Sequence, residues 1–223
     1  MEYTPNKDII ARRIAKFFRN GDIVNLGIGL PTLVGNYIPR GVTIILQSEN
    51  GFLGLGPAPE KGKEDAALVN AGGGFVTILP GGAFFDSATS FAIIRGGHVD
   101  ATVLGVLEVD QHGNLANYKV PGKLVPGMGG AMDLTVGART VFAATQHFDG
   151  DGYSKLLRRC TLPLTAANQV DYVCTDLGFF QVKDGAFVLL EHFKPYSIDF
   201  ILKETDADIV VDKSCRETDP TGD

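Results

Sequence analysis

Glycine falls in blocks along this chain, and most blocks close a short apolar run. The 28 glycines among 223 residues exceed the usual share of about 7%. They gather as Gly27-Ile28-Gly29, Gly51 to Gly56, Gly72-Gly73-Gly74, Gly81-Gly82, Gly96-Gly97 and Gly127 to Gly130. Glycine weakens regular structure and serves where backbone turns sharply or approaches another group closely. Such a chain must fold as many short elements with tight connections. Several of the glycines are expected to line one site.

The runs between the blocks alternate in period. Thr4 is expected to cap a first helix, with Pro5 in its first turn and a stripe of Ile9, Ile10, Ile14, Phe17 and Phe18; Asn20-Gly21 stops it. Asp22 to Leu26 reads as a strand, Thr32 to Ile38 as a helix and Val42 to Gln47 as a buried strand. Phe75 to Leu79 reads as a strand, Pro80-Gly81-Gly82 as a turn, and Asp86 as the cap of a helix through Phe91, Ile93 and Ile94. A strand over Ala101 to Leu107, a turn at Asp110 to Asn114, a helix around Ala131 to Val136 and a strand over Thr140 to Thr145 follow. Phe179 to Val182 and Phe187 to Leu190 flank a hairpin turn at Lys183 to Ala186. Ser197 caps a helix through Phe200, Ile201 and Leu202, ahead of a strand over Asp208 to Val211.

This order predicts an α/β fold: a single Rossmann-like, open, mainly parallel sheet with helices on both faces. No linker or internal repeat divides it, so residues 1–211 form one domain and residues 212–223 a polar, frayed tail. Functional residues in such sheets collect at the carboxyl ends of strands, and Glu49 is expected at one.

Charge and cysteines exclude several classes. With 20 Lys+Arg against 26 Asp+Glu the net charge is −6, which argues against a nucleic-acid partner. No apolar run reaches the roughly 18 residues of a membrane span, and Met1 to Asn20 lacks the apolar core of a signal peptide, so no membrane partner is expected. Three widely spaced cysteines (Cys160, Cys174, Cys215) do not suggest disulfides. A cytoplasmic protein is expected.

Cofactor motifs fail on spacing. Gly27-Ile28-Gly29 opens a dinucleotide fingerprint, but Thr32 stands where its third glycine belongs. From Gly56 to Lys63 the phosphate-loop spacing is one residue too long, and Glu64 replaces the magnesium-holding hydroxyl. The four histidines and three cysteines lack zinc-ligand spacing, and no Gly-x-Ser-x-Gly elbow occurs. What survives is Gln47-Ser48-Glu49-Asn50-Gly51. Asn-Gly marks a turn, so Glu49 is either a solvated loop residue or a carboxylate presented at a strand end.

The chain resembles family I coenzyme A transferases, specifically the beta half of the 3-oxoacid and butyrate–acetoacetate type, from its first helix to about residue 211. Five stretches carry the resemblance: Asn25 to Pro31; Gln47 to Gly51 with Gly54-Leu55-Gly56; Ile94 to Asp100; Pro121-Gly122-Lys123 with Gly127 to Leu134; and Cys160 to Thr165. It implies that Glu49 is the catalytic glutamate and that Gly130, with Gly129 beside it, supplies a backbone amide to the reacting carbonyl. Gly27, Gly29, Asn50 and Gly51 are expected beside CoA or substrate. Coenzyme A would be a substrate, and no metal or other cofactor is implied.

The implied reaction moves CoA between short-chain acids such as acetoacetate, butyrate and acetate through a glutamyl-CoA thioester. The implied partner is the alpha half of the same enzyme, in a heteromer that is commonly a heterotetramer. Two other readings stand beside it: an acyl-CoA hydrolase using the same glutamate, and a non-catalytic scaffold half.

Overall fold

The computed structural model describes residues 3–122, 125 and 127–221. Of the motif and tail residues named above, Lys123, Gly222 and Asp223 lie outside that set. In chain order the first half contains α1 (Lys7–Ala15), β1 (Ile23–Leu26), a 3-10 helix (Leu30–Tyr37), β2 (Ile45–Ser48), β3 (Phe52–Leu55), β4 (Ile78–Phe84), α2 (Ser87–Arg95), β5 (Ala101–Gly105), β6 (Glu108–Asp110) and β7 (Leu115–Ala116). The second half contains α3 (Ala131–Gly137), β8 (Val141–Ala144), β9 (Leu156–Leu157), β10 (Tyr172–Cys174), β11 (Gly178–Lys183), β12 (Ala186–Phe193), α4 (Ile198–Glu204) and β13 (Ile209–Thr218).

One large sheet runs β13-β12-β11-β10-β8-β5-β1-β2-β3-β4, and β7-β6-β9 form a small second one. Its middle strands, β10, β8, β5, β1 and β2, are parallel, as the alternation predicts. Antiparallel hairpins extend it at each side, β2-β3-β4 and β10-β11-β12. Successive residues of a strand face opposite ways, and the buried side chains sort accordingly. Val141, Ala143, Val173 and Phe180 join the core that holds Ile94 of α2, Leu134 of α3 and Ile201 of α4. Phe142, Ala144, Cys174 and Phe179 join the core under α1 and the 3-10 helix. Helices therefore cover both faces. None of the helices described is long and apolar enough to cross a membrane.

Several boundaries differ from the sequence expectation. Asn6, not Thr4, caps α1, its side chain accepting from Asp8 and Ile9 N–H; Thr4 is held instead through its backbone by the Tyr196 hydroxyl. The expected α-helix after Pro31 is a 3-10 helix. Pro80-Gly81-Gly82 is not a turn but the middle of β4. The proline is tolerated because β4 is an outer strand with an irregular register opposite Gly54.

The polar tail is also corrected. β13 continues to Thr218, past the boundary at 211, as the other outer strand. Arg216 anchors it, donating at 2.8 Å to Glu191 of β12, which Arg13 of α1 also holds at 2.8 Å. Burial pushes the Glu191 carboxyl up, and the two arginines more than reverse that, leaving it below the usual carboxylate range.

His147 is a structural histidine. It is fully buried, its ring nitrogens 3.0 Å from the Thr175 hydroxyl and 2.9 Å from that of Thr205, while its N–H donates to Asp176. Burial lowers its pKa to about 3. The folded protein keeps it neutral while the unfolded chain takes up a proton near pH 6.5, so stability is lost as pH falls below that value. Urea unfolding should show a loss of about 1 kcal/mol from this group between pH 7 and 5.5. His147→Gln, though less stable at pH 7, should lose correspondingly less over that interval; equal losses would remove His147 from the acid response.

Candidate active site

The sheet reverses direction around β1. The chain leaves β1 for β2 on one side and returns to β5 on the other, and such a switch point opens a crevice at the carboxyl ends of the strands. Three segments lie there: Gly27 to Gly29 after β1, Glu49 after β2, and the glycines that open α3.

Glu49 sits on a hairpin tip. Ser48 pairs with Phe52 across β2 and β3, and Gly51 N–H closes the turn on the Ser48 carbonyl at 3.0 Å. The Asn-Gly signal is a turn, as expected, and the turn presents the Glu49 carboxylate at the strand end. Gly51 is required by geometry: its φ is +126°, and any Cβ would run into the Phe85 carbonyl. Phe85 N–H in turn donates to the Gly51 carbonyl at 2.9 Å, tying the tip to the segment before α2.

The half-buried Glu49 carboxylate accepts a hydrogen bond at 3.0 Å from Gly130 N–H, the cap residue of α3. A side chain at Gly130 would occupy the carboxylate's own space, its Cβ 2.9 Å from Glu49 Cδ. At Gly129, φ is +55° and a Cβ would stand 3.2 Å from Glu49 Oε1. Among the described residues, the carboxylate pairs with this backbone amide and with no cation. One oxygen is thus oriented by a donor, an arrangement suited to a nucleophile.

The remaining expected residues divide. Asn50 lies beside Glu49, but its amide is used within the protein, accepting from the Ser48 hydroxyl at 2.6 Å and donating to the Val69 carbonyl at 2.7 Å. Gly27 donates to the Val103 carbonyl, which a Cβ there would meet at 3.0 Å, so it seats β1 against β5. Gly29 has φ +82° and faces open space. The nearest neighbours of an added Cβ at Gly27 belong to Val103 and Leu104, and one at Gly29 would have none within 4 Å.

Sequence reasoning missed the loop at Val69 to Phe75, whose ends form a β-bridge. Asn70 Oδ1 accepts from Gly72 and Gly74 N–H, and Ala71 N–H donates to the Ser48 hydroxyl at 3.2 Å. The exposed Ile28 side chain lies against Gly72. The glycine run at 72–74 was the available signal, and it joins the loops after β1 and β2 at one site.

The family model described as coenzyme A transferase matches residues 7–204, nearly the whole chain. The chain belongs to the coenzyme A transferase family. It is 60% identical over 185 residues to the beta chain of the acetate CoA-transferase of Escherichia coli, covering 83% of this chain and 84% of that one. It is 56% identical over 211 residues to the beta chain of the acetate CoA-transferase of Haemophilus influenzae, covering 95% and 94%. One of the component chains of the succinyl-CoA:3-ketoacid coenzyme A transferase of Helicobacter pylori is 47% identical over 205 residues, covering 92% and 99%. An acyl-CoA transferase apoenzyme of Escherichia coli shares the fold with a TM-score of 0.76 at 22% identity; 99% of this transferase chain aligns with 44% of that longer one. The activity of this family is coenzyme A transfer, and the chain is a CoA-transferase chain.

Gly130→Ala tests the amide contact. The backbone there has φ −82°, which alanine adopts freely, so the methyl group acts on the carboxylate rather than on the fold. Turnover should fall about 10²-fold or more, the scale of a displacement near 1 Å of a reacting group, with melting temperature little changed. Parallel losses in turnover and melting temperature would make Gly130 a packing residue.

Proposed function

We propose that this chain is the beta half of a CoA-transferase that exchanges CoA between short-chain acids by a ping-pong reaction through Glu49. The supporting observation is the hydrogen bond from Gly130 N–H to Glu49 Oε1. A carboxylate suits covalent catalysis because it divides one exchange into easier steps. A Glu49 oxygen attacks the thioester carbonyl of the donor acyl-CoA, the C–S bond breaks, and an acyl-glutamyl anhydride and CoA thiolate result. The thiolate then adds to Glu49 Cδ, the donor acid leaves as its carboxylate, and Glu49 carries CoA as a thioester. The acceptor carboxylate enters, and the same bonds form and break in reverse to regenerate Glu49. No net proton is consumed.

The position of the donor says which steps it serves. Gly130 N–H is on Glu49's own oxygen, so it supports the oxyanion that forms when Cδ is the carbon under attack. It also withdraws charge from the glutamyl carbonyl of the thioester. A preorganised amide in a dry site contributes about 3 to 4 kcal/mol to such a step.

Dryness implies a second chain. Met132 and Val136 on α3 are 51% and 72% exposed, and with Leu164 they line a shallow, mostly apolar groove on the helix that starts at Gly130. Exposed apolar surface of this kind marks association, and the acetate CoA-transferase relatives are named as beta chains, which implies alpha counterparts. An alpha partner would cover the crevice and complete the acid pocket, with an obligate interface above about 2,000 Å² in total and a heterotetramer as the assembly. The relatives' names favour acetate and 3-oxoacids among the substrates, with butyrate in the same size class.

Incubating the assembled enzyme with acyl-CoA and no acceptor should place CoA on the peptide containing Glu49, read by mass spectrometry. Glu49→Ala should abolish the adduct and the activity. Glu49→Asp should lose most activity, since a displacement of about 1 Å can reduce rate 10²-fold. An adduct elsewhere, or an active Glu49→Ala, would sink the assignment. The isolated chain should show almost no acceptor-dependent exchange, and turnover near that of the complex would refute the half-site reading. Thioester loss that proceeds equally without acceptor would identify a hydrolase instead.

A further inference from the structure

A row of polar side chains crosses the core beneath the Glu49 hairpin. Thr102 of β5, Asn25 of β1 and Gln47 of β2 occupy paired register positions on adjacent parallel strands. All are nearly inaccessible, at 0%, 4% and 3% exposure. Asn25 Nδ2 donates to Gln47 Oε1 at 2.7 Å, and Gln47 Nε2 donates to the Ser90 hydroxyl of α2 at 3.0 Å. The Ser90 hydroxyl, fully buried, reaches the Ser48 carbonyl at 3.5 Å. Ser48 then directs its own hydroxyl to Asn50, whose amide grips the Val69 carbonyl.

Parallel strands buried on both faces are ordinarily filled with Val, Ile and Leu. Apolar side chains here would give a more stable sheet, because buried amides return little net energy and leave a penalty wherever one group goes unpaired. Thr102 shows that penalty, its hydroxyl having no hydrogen-bond partner among the described residues. What a satisfied polar chain adds is a single geometry, since each amide accepts only one orientation of its neighbours. Every link of this one ends on the residues flanking Glu49: Gln47 and Ser48 before it, Asn50 after it. A hairpin tip is otherwise among the more mobile parts of a fold.

We infer that Gln47 and Ser90 are positioning residues for the transfer reaction, holding the β2 end so that the Glu49 carboxylate stays on Gly130 N–H through each change of its covalent state. This rests on the reading of Glu49 as the nucleophile. Neither residue touches the reacting atoms. They act through the backbone of Gln47 and Ser48, and Asn25 orients Gln47 from the far side.

The test uses the enzyme assembled with its alpha partner. Ser90→Ala leaves the Gln47 amide without its acceptor, while Gln47→Met keeps the bulk and removes both of its bonds. Either change is small enough to be read if the other fails to fold. Each should lower kcat about 10²-fold, the scale of a misplacement near 1 Å, with KM for donor and acceptor within about 3-fold. The double variant should lose less than the product of the two single losses, because both remove the Gln47–Ser90 link.

Thr205→Val serves as the stability control, deleting a buried hydroxyl that bonds His147 instead; it should lower the melting temperature without lowering kcat. An unchanged kcat in Ser90→Ala and Gln47→Met would overturn the inference. So would losses that multiply in the double variant, or losses that track melting temperature as in the control. Mass spectrometry of the unaltered enzyme separates the two levels. CoA on Glu49 with unaffected variants overturns only the positioning role, whereas no CoA on Glu49 removes the nucleophile and the positioning together.

Discussion

A carboxylate and a backbone amide 81 residues apart meet in one hydrogen bond, and the site exists only where they meet. Glu49 reaches that point from β2, and Gly130 reaches it from the start of α3. Both are braced by α2. Its Ser90 bonds to Gln47 and the Ser48 carbonyl, and its Arg95 holds Asp133 of α3 at 2.7 Å. The Arg95 pair is exposed and contributes little energy by itself. It nevertheless marks where α2 and α3 lie side by side. The crevice is therefore built by one helix that touches both of its walls, on a sheet whose parallel order puts those walls side by side.

The residues that meet at the crevice were easier to read from the sequence than the outer strands were. Glu49 and Gly130 were legible because the motifs around them are long and contiguous, and the structure brings the two into contact. The helix caps at Asp86 and Ser197 and the 183–186 hairpin were legible for the same local reason. The link between Gln47 and Ser90 was not. A glutamine ending an apolar run and a serine within a helix carry no local signal, and their meeting depends on tertiary packing across 43 residues. β4 was hidden by Pro80, which reads as a turn unless the strand is known to lie at an edge. The start of β13 was expected, but its continuation from 212 to Thr218 was hidden by its polarity, which suits an outer strand as well as a tail.

The two ends of the described chain are sewn into the same core. Near the N-terminus, the Tyr3 hydroxyl and the Asn6 N–H both donate to Asp176, and the Tyr196 hydroxyl accepts from the Thr4 N–H. Near the other end, Arg216 of β13 shares Glu191 with Arg13 of α1. These contacts join α1, β12 and β13 across some 200 positions of sequence, so thermal or acid opening of either end should spread to the other. His147 lies in the same region, its backbone N–H on Asp176.

The outer strands carry one more consequence. At β4, Pro80 offers no N–H, and Gly54 opposite Gly82 breaks the regular ladder. At β13, Lys213, Arg216 and Glu217 place charges along the rim. Proteins blunt sheet edges in these ways to stop strands of other molecules from adding on. Both rims of this sheet thus carry obstacles to extension by hydrogen bonding. Association through side-chain surfaces is then the easier route, and there a partner is chosen by shape and apolar contact rather than by a backbone ladder that any extended peptide could imitate.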